Sequence, residues 1–208
     1  FFLLFSCKSE PAKIADESVM RNEIIDSTIT AFQKKLLAQQ IDSVFSKTKF
    51  NGSISIVQNG EKLYESENGL EDFQTKAKLD SNSVFAIGSV SKQFTAAMIL
   101  MLEDQGKLNT NDKVSKFLPE FQNKHFENIT VHQLLNHTSG ISDFGSGLQS
   151  KPGESFNYSN KGYRFLGEIV AKVSEKTFDH YAKELFERIE MMHASTANLF
   201  EGNHLAGA

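Results

Sequence analysis

A mixed α/β (α+β) fold, with helices packed against an antiparallel sheet, is what this sequence of 208 residues predicts. Three observations carry that expectation. Asn59-Gly60 lies between two strand-like runs, Ser53 to Gln58 and Glu61 to Glu65, which is the strongest short-range hairpin signal. Apolar residues recur near a period of 3.6 at Phe94, Ala97, Met98, Met101 and Leu102, and again at Tyr163, Leu166, Ile169, Val170 and Val173, so each run reads as a helix with one buried stripe. A longer run, Ser18 to Phe45, carries Ile24, Ile25, Ile29, Phe32, Leu36, Ile41, Val44 and Phe45 and reads as a long amphipathic helix. A lone hairpin is marginal in water, so its strands must pair with others or pack on a helix.

In chain order, Phe1 to Cys7 has the form of the end of an apolar signal segment (residues 1–6) with a lipobox-like Leu4-Phe5-Ser6-Cys7. In a bacterial lipoprotein such a signal is removed before the cysteine, which is then lipidated, so Cys7 is a candidate lipidation site. The competing reading is a short apolar terminus with an incidental thiol. Residues 7–17 read as a polar tether. After the long helix and the hairpin, the helix through Phe94 and Leu102 is expected to stop at Gly106. Thr130 followed by Gln133 fits a capping box, so a short helix is expected there, ending near Gly140. Ser139 to Gly153 reads as a Gly- and Ser-rich surface loop beside a cleft. Pro152 to Asn160 is a turn-rich approach to the helix beginning near Ser159.

Composition excludes several classes of function. The chain is 39% hydrophobic with net charge −4, which suits one buried core and leaves no basic field for nucleic acid. No apolar run approaches the roughly 20 residues needed to span a bilayer. The single cysteine excludes an intrachain disulfide framework and a cysteine zinc site, and the six histidines show no paired ligand spacing, so neither a metal nor another cofactor is expected.

The chemistry concentrates in Gly88-Ser89-Val90-Ser91-Lys92. At a helix start this spacing places the Ser89 hydroxyl and the Lys92 amine on one face. A serine becomes a competent nucleophile when a neighbouring base takes its proton, and a lysine can serve once burial or nearby cations lower its pKa. Taken alone, the spacing also fits a solvated helix face. Tyr158 and Asn160 stand where a loop presents side chains into a cleft. A tyrosine can relay a proton, and an asparagine amide can hold both a lysine and a substrate carbonyl. By itself Tyr158 also fits a half-buried aromatic, and Ser159 an N-cap.

With G-S-V-S-K at Gly88–Lys92, L-L-N-H-T-S-G-I at Leu134–Ile141 and P-G-E-S-F-N-Y-S-N at Pro152–Asn160 in that order, the chain resembles the serine β-lactamase-like family. That family comprises class C β-lactamases, D-alanyl-D-alanine carboxypeptidases of the penicillin-binding type and related esterases. The resemblance runs from about Phe50 to His193. It implies an antiparallel sheet flanked by helices with an all-helical subdomain, and residues 18–208 as part of such a domain. It implies Ser89 as the acylated nucleophile, Lys92 and Tyr158 as the proton-transfer groups and Asn160 as a substrate-orienting residue, with His137 architectural and held by backbone carbonyls.

The reaction implied is acyl transfer on an amide, lactam or ester carbonyl of a small molecule or a peptidoglycan-derived peptide. The alternative is a penicillin- or muropeptide-binding lipoprotein without turnover. Together with Cys7, the location expected is the bacterial cell envelope, on a lipid anchor. Two departures from the family pattern stand out. The family's K-T-G or H-x-G strand is not found before Ala208, since Lys151-Pro152-Gly153 precedes the tyrosine loop and its proline lacks the N–H a central strand needs. Turnover by these residues alone is therefore expected to be poor. The run Phe186 to His193 lacks the family's usual proline-leucine-glycine-methionine turn, which is expected to weaken the stop of the last helix.

Overall fold

The structure, a computed structural model, describes residues 11–202 and 205–206, so Cys7 lies outside the described residues. The chain divides into two compact units, Phe1–Ala86 with His204–Ala208, and Ile87–Asn203.

The first unit holds helix α1 (Pro11–Lys47) and the antiparallel strands β1 (Gly52–Gln58) and β2 (Glu61–Asn68). The hairpin forms as expected: Asn59 and Gly60 have φ of 52° and 78°, the positive values that a two-residue turn matched to strand twist requires. Ile54 pairs with Ser66 and Ile56 with Tyr64, and the register shifts between Ile56 and Val57. The Tyr64 hydroxyl donates to Asp42 Oδ1 at 2.8 Å and Lys34 pairs with Glu61, tying the hairpin to α1.

Two expectations for α1 are corrected. Its helix already runs from Pro11 rather than from Ser18, so residues 11–17 are helical and continuous with it; proline suits the first turn, and Ala12, Ala15 and Glu17 favour helix. Its apolar residues are also not a buried stripe, since Ile24, Ile25, Ile29, Phe32, Leu36 and Val44 are exposed, while Leu37, Ile41 and Phe45 are half-buried. A helix of 37 residues is about 55 Å long, whereas strands of seven and eight residues reach only about 25 Å, so the hairpin cannot cover it.

The second unit carries the core. Helices α2 (Lys92–Asp104), α3 (Val131–Leu135), α4 (Asn160–Ser174) and α5 (Phe178–Arg188) converge on Met98, Ile99, Leu102, Leu134, Leu166, Ile169, Val170 and Leu185, with Phe121 and Ile129 from the intervening loops. The stripes expected on α2 and α4 are those that pack, with Phe94, Ala97, Met101, Tyr163 and Val173 at the edge of the core. Leu166 is fully buried, so Leu166→Ala should destabilise this unit by about 2–5 kcal/mol, read from a lower urea midpoint.

Helix ends set the loops that follow. Gly106, at φ 68°, ends α2 as expected: its N–H donates to Glu103 O at 2.8 Å and that of Lys107 to Leu102 O at 3.0 Å, satisfying two terminal carbonyls. The capping box at Thr130 and Gln133 forms as expected. The stop near Gly140 does not: α3 ends at Leu135, and His137 takes the left-handed conformation at φ 61°, with Thr138 N–H donating to Gln133 O at 2.9 Å. Gly140 is needed for a different reason, because a Cβ there would lie 2.2 Å from Ser150 O, where the loop crosses itself. The expected weak stop of α5 is also corrected. Glu190, at φ 59°, allows Met191 N–H to reach Phe186 O at 2.9 Å and closes the helix without glycine.

Candidate active site

Ser89 sits in a single 3₁₀ turn, Gly88–Ser91, rather than in the α-helix itself, and Lys92 is the first residue of α2. In a 3₁₀ turn residues three apart eclipse, so the two side chains align more directly than α-helical spacing predicts. Gly88 enters the turn at φ 52°, a conformation open to glycine at no steric cost. Lys92 Nζ lies 3.2 Å from Ser89 Oγ, and the Tyr158 hydroxyl lies 2.8 Å from the same oxygen. Lys92 Nζ also donates to Asn160 Oδ1 at 2.8 Å and stands 5.0 Å from the Tyr158 ring centroid. The four residues expected to carry the chemistry, Ser89, Lys92, Tyr158 and Asn160, are thus brought together, although they lie up to 71 positions apart in the chain, Ser89 to Asn160.

Tyr158 and Asn160 reach this point because Ser159 between them caps α4, its Oγ accepting from Gly162 N–H at 3.0 Å. An N-cap is extended while the next residue is helical, so Tyr158 projects from loop and Asn160 from the first turn. The Tyr158 hydroxyl is held below the ordinary tyrosine range by hydrogen bonds from Lys92 and with Ser89, which favour the phenolate. Tyr163 donates to Leu135 O at 2.9 Å, and burial pushes its pKa up.

His137 is architectural in position, but its partner differs from the expected carbonyls. Its Nδ1 accepts from Ser159 N–H at 3.1 Å, which leaves the ring proton on Nε2. Its ring lies 4.5 Å from that of Tyr158 and 5.0 Å from that of Tyr163. Burial, with the Lys92 charge adding to it, keeps His137 below the usual histidine range, in the neutral form this hydrogen bond requires.

Asp143 carries no motif of its own, yet it anchors the site. Its Oδ1 accepts from Ser159 Oγ at 2.8 Å and Lys161 N–H at 2.9 Å, and its Oδ2 from Asn160 N–H at 2.9 Å and Asn160 Nδ2 at 3.0 Å. Burial pushes its carboxyl up, but the Lys161 and Asn160 amides and the Ser159 hydroxyl outweigh that and hold it at about 2. One signal in the sequence points this way: the first turn of α4 has no acidic residue of its own, so its N–H groups invite a carboxylate from elsewhere. The loop carrying Asp143 is correspondingly less exposed than its composition suggests. Ser139, Ile141 and Ser142 are buried, while Phe144 is 90% exposed. Lys151, Pro152 and Gly153 lie in a turn, with Gly153 N–H donating to Thr138 O at 2.7 Å.

Among the described residues no group of three or more His, Cys, Asp or Glu side chains is placed to hold a metal ion, and no helix is long and apolar enough to cross a membrane. What the arrangement can do is pass a proton among three groups, since Lys92 Nζ and Tyr158 Oη both donate to Ser89 Oγ and lie within 3.2 Å of it.

A family model described as Beta-lactamase matches residues 26–201. Penicillin-binding protein 4* of Bacillus subtilis is 31% identical over 177 residues, 73% of this chain and 39% of that protein. Protein flp of Staphylococcus aureus is 35% identical over 188 residues, 76% of this chain and 38% of that protein. The crystal structure of the D-alanine carboxypeptidase AmpC from Burkholderia cenocepacia superposes with a TM-score of 0.69 at 30% identity, covering 78% of this chain and 50% of that one. The chain thus spans about two fifths of the length of the curated relatives it matches.

Proposed function

The chain belongs to the Beta-lactamase family and has its mixed α/β fold, and on that premise we propose that it is a serine hydrolase acting through an acyl-enzyme on Ser89. The observation that carries the reading is the pair of contacts on one oxygen, Lys92 Nζ at 3.2 Å and Tyr158 Oη at 2.8 Å.

Ser89 Oγ attacks the carbonyl carbon of an amide, lactam or ester while the Lys92–Tyr158 unit takes its proton. The C=O π pair moves onto oxygen, and on collapse the C–N or C–O bond breaks and the leaving group receives the proton. Water then attacks the acyl carbon and regenerates the serine. Asn160 orients Lys92 and the substrate carbonyl. The names of the relatives, a penicillin-binding protein and a D-alanine carboxypeptidase, support β-lactams and D-alanyl peptides of the cell wall as substrates. The intact protein incubated with a fluorescent penicillin should gain a covalent adduct, located on Ser89 by peptide mass spectrometry. An adduct on another residue, or none with penicillins, D-alanyl peptides and p-nitrophenyl esters alike, overturns the reading.

On the same reading the protein works in the bacterial cell envelope, anchored through Cys7. Cys7→Ser should release it from the membrane fraction and abolish labelling by a palmitate analogue. Membrane association that persists without such labelling would sink the anchor.

A further inference from the structure

We propose that Asp143 is a positioning residue: its carboxylate fixes the side-chain amide of Asn160 with the oxygen toward Lys92, and so holds Lys92 Nζ on Ser89. The proposal rests on the acyl-enzyme reading above. Asn160 stands between two groups of opposite and single capability. A carboxylate only accepts hydrogen bonds, and a lysine ammonium only donates them. An asparagine amide is nearly symmetric in shape, so its orientation is decided by its neighbours. With Nδ2 donating to Asp143 Oδ2 at 3.0 Å, Oδ1 must face Lys92, which it meets at 2.8 Å. The reverse orientation would set an NH₂ group against Lys92 and a carbonyl oxygen against the carboxylate, losing both hydrogen bonds and adding two repulsions.

The carboxylate is itself immobilised. Three further donors, Ser159 Oγ, Asn160 N–H and Lys161 N–H, leave it little freedom to rotate. Held at about 2, the group stays charged across the working range of an envelope enzyme. The chain of contacts therefore runs from Asp143 through Asn160 to Lys92 and Ser89, and every link has its donor and acceptor dictated by the first.

An alternative role for Asp143 is that of a distant cap for α4 and nothing more, and the test separates the two. In the intact protein Asp143→Asn, which offers one acceptor oxygen where two are used, should slow acylation of Ser89 by a fluorescent penicillin about 100-fold, the scale of a misplaced catalytic group. In an Asn160→Ala background the same substitution should cost no more than about threefold, because the link it breaks is already gone. The pH profile gives a second readout. The hydrogen bond from Lys92 is the chief cause that lowers the Tyr158 pKa, and the Asp143 charge, a smaller influence, raises it, so an Asp143→Asn change that loosens Lys92 should move the acid limb of acylation to higher pH. A cap alone leaves Lys92 in place, and loss of the Asp143 charge would then move that limb to lower pH.

Acylation of Asp143→Asn at the unmodified rate, or the same loss with and without Asn160, overturns the proposal. Should the Asn variant fail to fold, Asp143→Glu keeps the charge on a longer arm. It should still slow acylation about tenfold, the loss from a sub-ångström misplacement, and an unchanged rate overturns the proposal equally. The two readings fail separately. Absence of labelling in the unmodified protein removes the acyl-enzyme. Asn160 side-chain amide protons that exchange, by NMR, as fast in the unmodified protein as in Asp143→Asn remove the role of Asp143.

Discussion

Replacing Ser89 with alanine is expected to abolish covalent labelling by penicillin and to lower hydrolysis of any substrate by on the order of 10⁴-fold or more, since no covalent intermediate can form without the hydroxyl. The fold should survive the change. Ser89 lies in an exposed turn, and its hydroxyl meets the Lys92 and Tyr158 side chains rather than the core, so it supports no core packing. Urea denaturation should place Ser89→Ala within about 0.5 kcal/mol of the unmodified protein, as for surface positions. A variant that labels normally would place the nucleophile elsewhere. One that loses both labelling and stability would show that Ser89 is structural.

Lys92→Ala and Tyr158→Phe should each slow acylation by about 10²–10⁴-fold, and the double variant should be little worse than the more damaged single one. The two side chains meet on one oxygen, and the Tyr158 pKa is lowered chiefly by its hydrogen bond with Lys92, so neither acts at full strength without the other. The pH dependence follows with a defined sign. Without Lys92 the Tyr158 pKa rises, the phenolate forms only at higher pH, and the acid limb of acylation moves upward. Asp143→Asn, which loosens Lys92 without removing it, should shift that limb in the same direction by less. Lys92→Arg should also fail to acylate, because arginine cannot release its proton at these pH values. Losses in log rate that simply add would show two independent groups.

Much of this site is legible in the sequence because its motifs are local. Gly88–Lys92 fits one turn, and Tyr158 to Asn160 fit one helix cap, so spacing alone places each pair of side chains. Thr130 and Gln133 announce their helix through a reciprocal pair of hydrogen bonds three residues apart. Asp143 is not legible, since its partners lie 16 to 18 residues away, across a loop with no periodicity to read. His137 and Glu190 escape notice as helix stops for a related reason. A left-handed residue other than glycine carries no mark in the sequence, and the surrounding hydrogen bonds, which outweigh its modest strain, are formed only in the folded chain.

The features that depend on neighbours within one turn of helix or one hairpin follow from the sequence alone. They are the Asn59-Gly60 turn, the apolar faces of α2 and α4, and the presence of a serine, a lysine, a tyrosine and an asparagine in two short motifs. Side-chain period and turn chemistry are local properties, so they can be read from spacing. Tertiary packing decides the rest: which groups share an oxygen, which carboxylate orients Asn160, and that the apolar residues of α1 stay exposed beside a two-stranded hairpin. Those outcomes depend on how helices separated by scores of residues pack on Met98, Leu134 and Leu166, and on how much surface a partner element can cover.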